Sequence, residues 1–252
     1  MGSVRINGGS TDYIYYVPDP SGNVTVCWWQ RMLVDTNTFT CFAWLGNFIN
    51  TYAIYVGTDG SGTLLQIWQE AAQRGSSGTN LVVGLWYHCA IVYNTVGSSA
   101  FTLYVNGRID ITGTLGTTGV TSGRITFGND QYNEGYNGLI TSVKVWNAKL
   151  LRHEIVREMW SKEPVRRRDL WQWSPLPAHG YLADRSGLGR GPYIINGTIT
   201  TDPTSAPDFE WYDPRFAAYS DVLQQYPRKH RRAPSAMAGD EGALWYQLVE
   251  MA

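Results

Sequence analysis

The sequence predicts an all-β fold of two packed antiparallel sheets, with one short amphipathic helix and an extended C-terminal arm. Three observations predict it. Short apolar runs recur from residue 11 to residue 147, split by Gly, Asn and Asp turns. Within the clearest runs, apolar and polar positions alternate with the period of a half-buried strand. The helical pattern is confined to residues 148–160, whereas a βαβ enzyme needs several such segments.

The elements follow in order. Residues 11–17 (TDYIYYV) read as a strand that Pro18 and Pro20 end, and residues 24–34 (VTVCWWQRMLV) as a longer one. FTCFAWLG (39–46), TYAIYV (51–56) and, after the Gly-rich turn 57–62, TLLQIWQ (63–69) come next. WYHCAIVYN (86–94) leads into AFTLYVNGRIDI (100–111), a hairpin centred on Asn106-Gly107, a pair that tolerates the positive φ of a tight turn. GRITFG (123–128) and NGLITSVKVWN (137–147) complete the series, the latter with both faces mixed. AKLLRHEIVREMW (148–160) lacks Gly and Pro. It carries Leu151, Ile155 and Met159 as a stripe flanked by Leu150 and Trp160, an amphipathic helix against a β body. Returning strands are expected in LWQWSPLP (170–177) and PYIINGTIT (192–200). Residues 205–252 read as an arm outside the sandwich.

Composition agrees with this class. The length of 252 residues suits one large sandwich or two small domains. A hydrophobic share of 43%, with 11 Trp and 16 Tyr, fills a core and excludes a wholly disordered chain. Charged residues are only 16%, so Ser, Thr, Asn and Tyr supply much of the surface. The net charge of -1 argues against a globally nucleic-acid-binding protein. Residues 1–148 hold six Lys/Arg and eight Asp/Glu, and residues 149–252 hold fourteen and thirteen, so the second part is denser in charge but balanced. Cys27, Cys41 and Cys89 are odd in number and lie in apolar strands, so buried free thiols are expected. No basic segment followed by an apolar run opens the chain, and no run reaches 18 apolar residues, so neither a signal peptide nor a membrane span is expected.

Four segments, in order, resemble the laminin-G-like and pentraxin-like branch of the concanavalin A-like jelly rolls: WYHCAIVYN (86–94), FTLYVNGRID (101–110), ITFGND (125–130) and YNGLITSVKVWNAKLLRHEI (136–155). WSPLP (173–177) with DRSGLGRG (184–191) resembles a further family piece. The resemblance implies a two-sheet antiparallel jelly-roll sandwich over residues 1–204. It also implies a rim or sheet face that binds calcium or sugar. Pentraxin-like members hold calcium just after the strand that ITFG resembles. Here that position reads Asn129, Asp130 and Gln131, with Glu134 nearby and Asp59 as a donor from another loop. Such oxygen donors suit Ca²⁺, and the same residues also read as an ordinary polar loop.

Aromatic side chains on an exposed face can stack on sugar rings. Trp28 and Trp29 are adjacent and point to opposite faces of one strand, so one enters the core and the other faces solvent, a ligand or a covering segment. Tyr132 and Tyr136 flank the candidate loop. Core packing is the plainer reading for such rings, as it is for Trp86, Trp146 and His88.

Enzymatic chemistry finds little footing. The glucanases of the resembled fold carry an E-x-D-x-E strand, and none occurs here. Glu210 and Asp213 lie in the arm, a poor scaffold for paired carboxylates. His153-Glu154 meets Arg157, not His, at the fourth position, so a zinc-protease helix fails. The basic runs Arg166–Arg168 and 228–232 suit salt bridges to a neighbouring subunit as well as a phosphate backbone, and no recognition motif accompanies them.

The arm carries the functional hint. Phe209, Trp211, Tyr212, Phe216, Tyr219, Trp245 and Tyr246 are aromatic anchors, and Arg228, Lys229, Arg231 and Arg232 are basic ones. A segment of this kind staples subunits of an assembly. Members of the resembled family occur on phage virions. The expected role is therefore a non-enzymatic structural protein at a virion surface, a capsid decoration or auxiliary protein. Its expected partners are its own copies or viral structural proteins, with glycan adhesion at an exposed rim. The alternative is an extracellular, calcium-assisted lectin with no assembly role.

Overall fold

The computed structural model describes residues 3–8, 13–16, 22–34, 40–46, 53–60, 63–69, 72–117, 119–120, 124–128, 135–176 and 184–188, and the backbone of 193–196 and 200–202. All belong to the unit Met1–Pro207. The predicted arm, 205–252, lies outside the described residues.

Fifteen strands and one helix are described. In chain order they are β1 (Ser3–Asn7), β2 (Tyr13–Tyr16), β3 (Asn23–Met32), β4 (Cys41–Gly46), β5 (Ile54–Thr58), β6 (Leu64–Gln69), β7 (Ala72–Asn80) and β8 (Tyr87–Asn94). Then come β9 (Ala100–Val105), β10 (Arg108–Thr114), β11 (Arg124–Gly128), β12 (Asn137–Trp146), α1 (Arg152–Met159), β13 (Leu170–Ser174), β14 (Tyr193–Asn196) and β15 (Thr200–Asp202). The first sheet runs β10-β9-β8-β3-β12-β1-β15, with β13 also on β12; the second runs β14-β2-β11-β4-β5-β6-β7. Every pairing is antiparallel. The all-β jelly-roll prediction therefore holds.

Between the sheets the large side chains interlock. Trp28 meets Phe127 edge-on at 5.5 Å between ring centroids, and Phe42 meets Tyr136 at 5.0 Å. Cys27, Cys41 and Cys89 are buried and free, and burial pushes the Cys27 and Cys89 thiols far up from their ordinary values. The hairpin turn forms at Asn106-Gly107 with φ of 50° and 77°, the left-handed pair its chemistry predicts.

The mixed faces of β12 have a physical cause. Thr141 pairs with Trp29 and Lys144 with Cys27, so Ser142 and Val143 together oppose Trp28. This is a β-bulge, and Ser142 takes φ 53° there. The extra residue reverses the alternation, so Ile140 and Val143 both enter the core. The same bulge divides the far edge of β12: β1 pairs with it as far as Ile140, and β13 takes over from Val143.

Past the bulge Lys144 points out of the sandwich, beneath α1. Its ammonium donates to Glu158 Oε2 at 3.0 Å and to the carbonyls of Glu158 (3.0 Å), Ser161 (2.7 Å) and Glu163 (3.4 Å). Burial pulls its pKa down, and the Glu158 carboxylate pulls it back. Trp146 donates to the Arg166 carbonyl at 2.9 Å. Cys27, Trp146, Leu150, Ile155, Leu170 and Trp173 form a second apolar cluster on this outer face. The helix begins at Arg152, later than predicted, with the Glu154 carboxylate accepting from the Leu151 N–H at 2.8 Å. Residues 148–151 are therefore not helical, and the predicted stripe shifts: Leu151 is 58% exposed, while Leu150 is buried.

Candidate functional site

The two outer faces of the sandwich are built differently. On the first sheet the outer face is roofed by α1 and the segment after it. Trp29 lies there, 7% exposed, its ring 5.4 Å from His88 and 6.4 Å from Trp160. Burial and the nearby Lys144 charge lower the His88 pKa to about 3, so this imidazole is neutral at ordinary pH.

On the second sheet the inner positions are Ile14, Tyr16, Ile125, Phe127, Leu45, Ile54, Val56, Leu65 and Ile67. Alternation sends Tyr13, Tyr15, Arg124, Thr126, Trp44, Tyr55, Gln66 and Trp68 to the outer face. Strand register then lines up a single row. Tyr15 is opposite Thr126, Thr126 opposite Trp44, Trp44 opposite Tyr55, and Tyr55 opposite Trp68. At ~4.8 Å per strand the row spans about 19 Å. Trp44 and Tyr55 pack edge to face at 5.9 Å and are 5% and 7% exposed. Tyr13, Tyr15, Arg124 and Trp68 are half-buried. Trp68 is oriented by its indole N–H, which donates to Gln66 Oε1 at 2.8 Å. At the Tyr15 end, the Arg124 guanidinium lies 5.0 Å from the Tyr15 ring centroid and 5.7 Å from that of Tyr13.

The predicted site residues fare unevenly. Trp28 is fully buried, its indole donating to Gln30 Oε1 at 2.8 Å. Tyr136 is also fully buried; its hydroxyl accepts from the Arg31 N–H and donates to the Leu139 carbonyl, both at 3.1 Å. Burial pushes that hydroxyl's pKa up. A ring with no exposed face has nothing to offer a sugar, and Trp29 is nearly closed as well. These three positions are therefore packing residues. Asp59 closes a turn, accepting from the Leu64 N–H at 3.2 Å and donating its own N–H to the Leu64 carbonyl at 2.8 Å. Its strand, β5, and β11 end at the same end of the sheet with β4 between them, about 10 Å apart. Asn129, Asp130, Gln131, Tyr132 and Glu134 lie outside the described residues. Among the described residues no group of three or more His, Cys, Asp or Glu could hold a metal ion.

The basic run at Arg166–Arg168 makes its ion pairs within this chain. Arg166 bridges Glu154 and Asp169, each at 2.9 Å, and Arg167 reaches Glu163 at 2.8 Å while covering Trp173. No helix among the described residues is long and apolar enough to cross a membrane.

A two-sheet antiparallel sandwich with one short helix on one face and this chain order define a lectin-type jelly roll related to laminin-G and pentraxin domains. The chain belongs to the concanavalin A-like lectin/glucanases superfamily, whose laminin-G model matches residues 7–156. Solved structures share the fold. A native heptameric SAP-like pentraxin from Limulus polyphemus is 15% identical over 80% of this chain and 94% of its own, with a TM-score of 0.57. A putative carbohydrate binding protein from Bacteroides ovatus ATCC 8483 is 15% identical over 81% of this chain, which spans 61% of that protein, with a TM-score of 0.58. The enzymatically active domain of tailspike protein 2 from bacteriophage CBA120 is 16% identical over 68% of this chain and 29% of its own, with a TM-score of 0.52. No curated protein matches the sequence.

Proposed function

We propose that this chain is a non-enzymatic attachment module. It joins a larger assembly, a phage virion in the reading we favour, and holds surface glycans on the outer face of its second sheet. The observation that carries this is the set of half-buried rings on that face, Tyr13 and Tyr15 on β2 and Trp68 on β6, with the buried Trp44 and Tyr55 packed between them. A sandwich is held by its inner faces, yet this outer face is aromatic on four of five neighbouring strands. Rings of this kind supply flat apolar area with polar edges, the chemistry that stacks on pyranose rings. Fold relatives include a carbohydrate binding protein, a heptameric pentraxin and a phage tailspike, which supports adhesion within an assembly. The aromatic and basic anchors of residues 205–252 supply the assembly contact.

Two measurements test the two halves. Light scattering on the full chain gives an oligomer or a particle-bound form, and deletion of residues 205–252 leaves a folded, dissociated sandwich. An unchanged mass after deletion overturns the assembly role. Replacing Trp68 by Ala abolishes retention on glycan-bearing host cells; undiminished retention overturns adhesion through this face.

A second reading, an extracellular calcium-assisted lectin, rests on Asp59 following β5 at the same end of the second sheet at which β11 ends. D130A then abolishes a calcium-dependent rise in melting temperature, and a calcium titration with no such rise removes this reading.

A further inference from the structure

A pocket of about 210 Å³ opens on the outer face of the first sheet, where β3 starts and β8 stops. Asn23, Asn94, Ser99 and Lys149 line it together with the apolar Val92 and Ala100. Asn23 and Lys149 are exposed, Asn94 and Ser99 half-buried, so these groups are open to a ligand. The volume is below the ~300–1,000 Å³ of a pocket that takes a whole drug-sized molecule, so this one takes a single group.

The polar groups here have settled orientations. Asn23 and Asn94 are directly opposite each other on β3 and β8. The Val96 N–H donates to the Asn94 side chain at 2.8 Å, so that atom is the amide oxygen. The Asn94 amide nitrogen therefore faces Asn23 and donates to its Oδ1 at 3.0 Å. Asn23 Oδ1 is then the acceptor, and Asn23 Nδ2 keeps both its N–H groups for a ligand. Asn94 Nδ2 keeps one. Among the described residues the Lys149 ammonium has no hydrogen bond and no ion pair. Ser99 is the reverse case. Its proton goes to the carbonyls of Asn94 (2.8 Å) and Val96 (2.6 Å), so its oxygen can only accept.

The pocket thus offers one positive charge, three amide N–H groups and one accepting oxygen, and no Asp or Glu lines it. We infer that it binds a compact oxyanion that carries a nearby hydroxyl, presented at the end of a larger molecule. Asn23, Asn94 and Lys149 hold the anionic oxygens, Ser99 accepts from the hydroxyl, and Val92 and Ala100 take the carbon body. Phosphate monoesters and hydroxycarboxylates share this chemistry. A metal cation would meet N–H donors. A neutral polyol would leave the ammonium unanswered. The inference is independent of the adhesive reading, because the rings of that reading belong to the other sheet.

The test uses the full chain labelled with ¹⁵N-asparagine and follows the side-chain amide signals of Asn23 and Asn94 by nuclear magnetic resonance. Glycerol 1-phosphate, glycolate and glycerol are added in turn at constant ionic strength, with chloride as the balancing anion. At least one of the two hydroxylated anions is expected to shift the Asn23 amide saturably, and glycerol is not. The anion that binds tells phosphate from carboxylate. Lys149→Met is expected to weaken binding by about tenfold or more, the effect of one charge-assisted hydrogen bond. Asn23→Asp keeps an oxygen for the Asn94 amide but adds a negative charge, so binding read at Asn94 is lost. Both replaced side chains are exposed, so the core is untouched. Trp68→Ala leaves the binding unchanged, which separates this site from adhesion. Shifts that never saturate with either anion, an equal response to glycerol, or binding that survives Asn23→Asp or Lys149→Met overturns the inference.

Discussion

Lowering the pH from 7.5 to 5 singles out His88 among the described groups. The imidazole is buried against Trp29, near the Lys144 ammonium, and its pKa falls to about 3 in the folded chain. In the unfolded chain it returns to about 6.5. The unfolded state therefore binds more protons below pH 6.5, and stability must fall as the pH falls. The loss begins near 6.5 and saturates below 3. At pH 5 the unfolded histidine is almost fully protonated and the folded one is not, so linkage gives a loss of about 2 kcal/mol relative to pH 7.5. The window lies above the ordinary carboxylate range and below the cysteine range, so neither class titrates strongly within it.

Urea denaturation at the two pH values reads the effect directly. With an m-value of about 2 kcal/mol/M, the midpoint drops by about 1 M. His88→Gln removes the titrating group; it changes absolute stability, but the difference between the two pH values should shrink by most of that amount. A wild-type midpoint that is flat from pH 7.5 to 5, or a slope that persists in His88→Gln, would refute the reasoning. The first result means that the imidazole accepts a proton where it stands, with the Trp160 roof opening to admit water; the second means that another group carries the pH dependence.

Three further outcomes are expected. Lys144→Met strands the Glu158 carboxylate under α1 and should cost about 3–5 kcal/mol in denaturation, with Lys144→Met/Glu158→Gln recovering much of it. Leu150→Ala should cost about 2–5 kcal/mol, whereas Leu151→Ala should change stability by less than about 0.5 kcal/mol, the reverse of what an early helix start predicts. Gly57→Ala would place a methyl 2.5 Å from the Thr40 carbonyl oxygen and the Tyr55 ring; it should lower the melting temperature and disturb Tyr55 fluorescence, with a cost of about 1–3 kcal/mol.

Local chemistry made much of the fold legible. Adjacent Trp28 and Trp29 had to face opposite ways, and they do. Asn106-Gly107 had to be a tight turn, because few other pairs take two positive φ values. Local chemistry could not reveal β7, whose sequence AQRGSSGTN has no apolar alternation. That strand exists because β6 offers it a ladder, and because Gly75 and Gly113 carry no Cβ. One added at Gly75 would stand 2.3 Å from Ile111, and one at Gly113 would stand 2.6 Å from the Arg74 carbonyl, so these glycines let β7 and β10 approach. Nor could it reveal the bulge at Ser142, which depends on pairing with β3. The candidate site was hidden for a related reason. Tyr15, Trp44, Tyr55 and Trp68 each stand at alternate positions in runs read correctly as strands. Only the register between strands gathers them into a row, and single-strand patterns carry no register.

The contrast between the two outer faces bears on what selection asked of each. The first needed a lid: with Lys144 turned outward by the bulge, the sheet carries a cation that must be paired, and Glu158 on α1 and the carbonyls of residues 158, 161 and 163 pair it. Trp29, Trp146 and Trp173 then have a stated structural duty beneath that lid. On the second sheet Tyr13, Tyr15 and Trp68 stay half-buried. Small β-formers such as Thr or Val would hold those strands equally well, because the inner residues Ile14, Ile54 and Ile67 already supply the core contact. Half-exposed rings maintained on neighbouring strands, and a charged residue laid across two of them, fit a surface kept for contact rather than for folding. If Trp68→Val and Tyr15→Thr leave the denaturation midpoint unchanged within error, that distinction stands. A large loss of stability in either would assign the rings to the fold and remove the reason for reading this face as a binding surface.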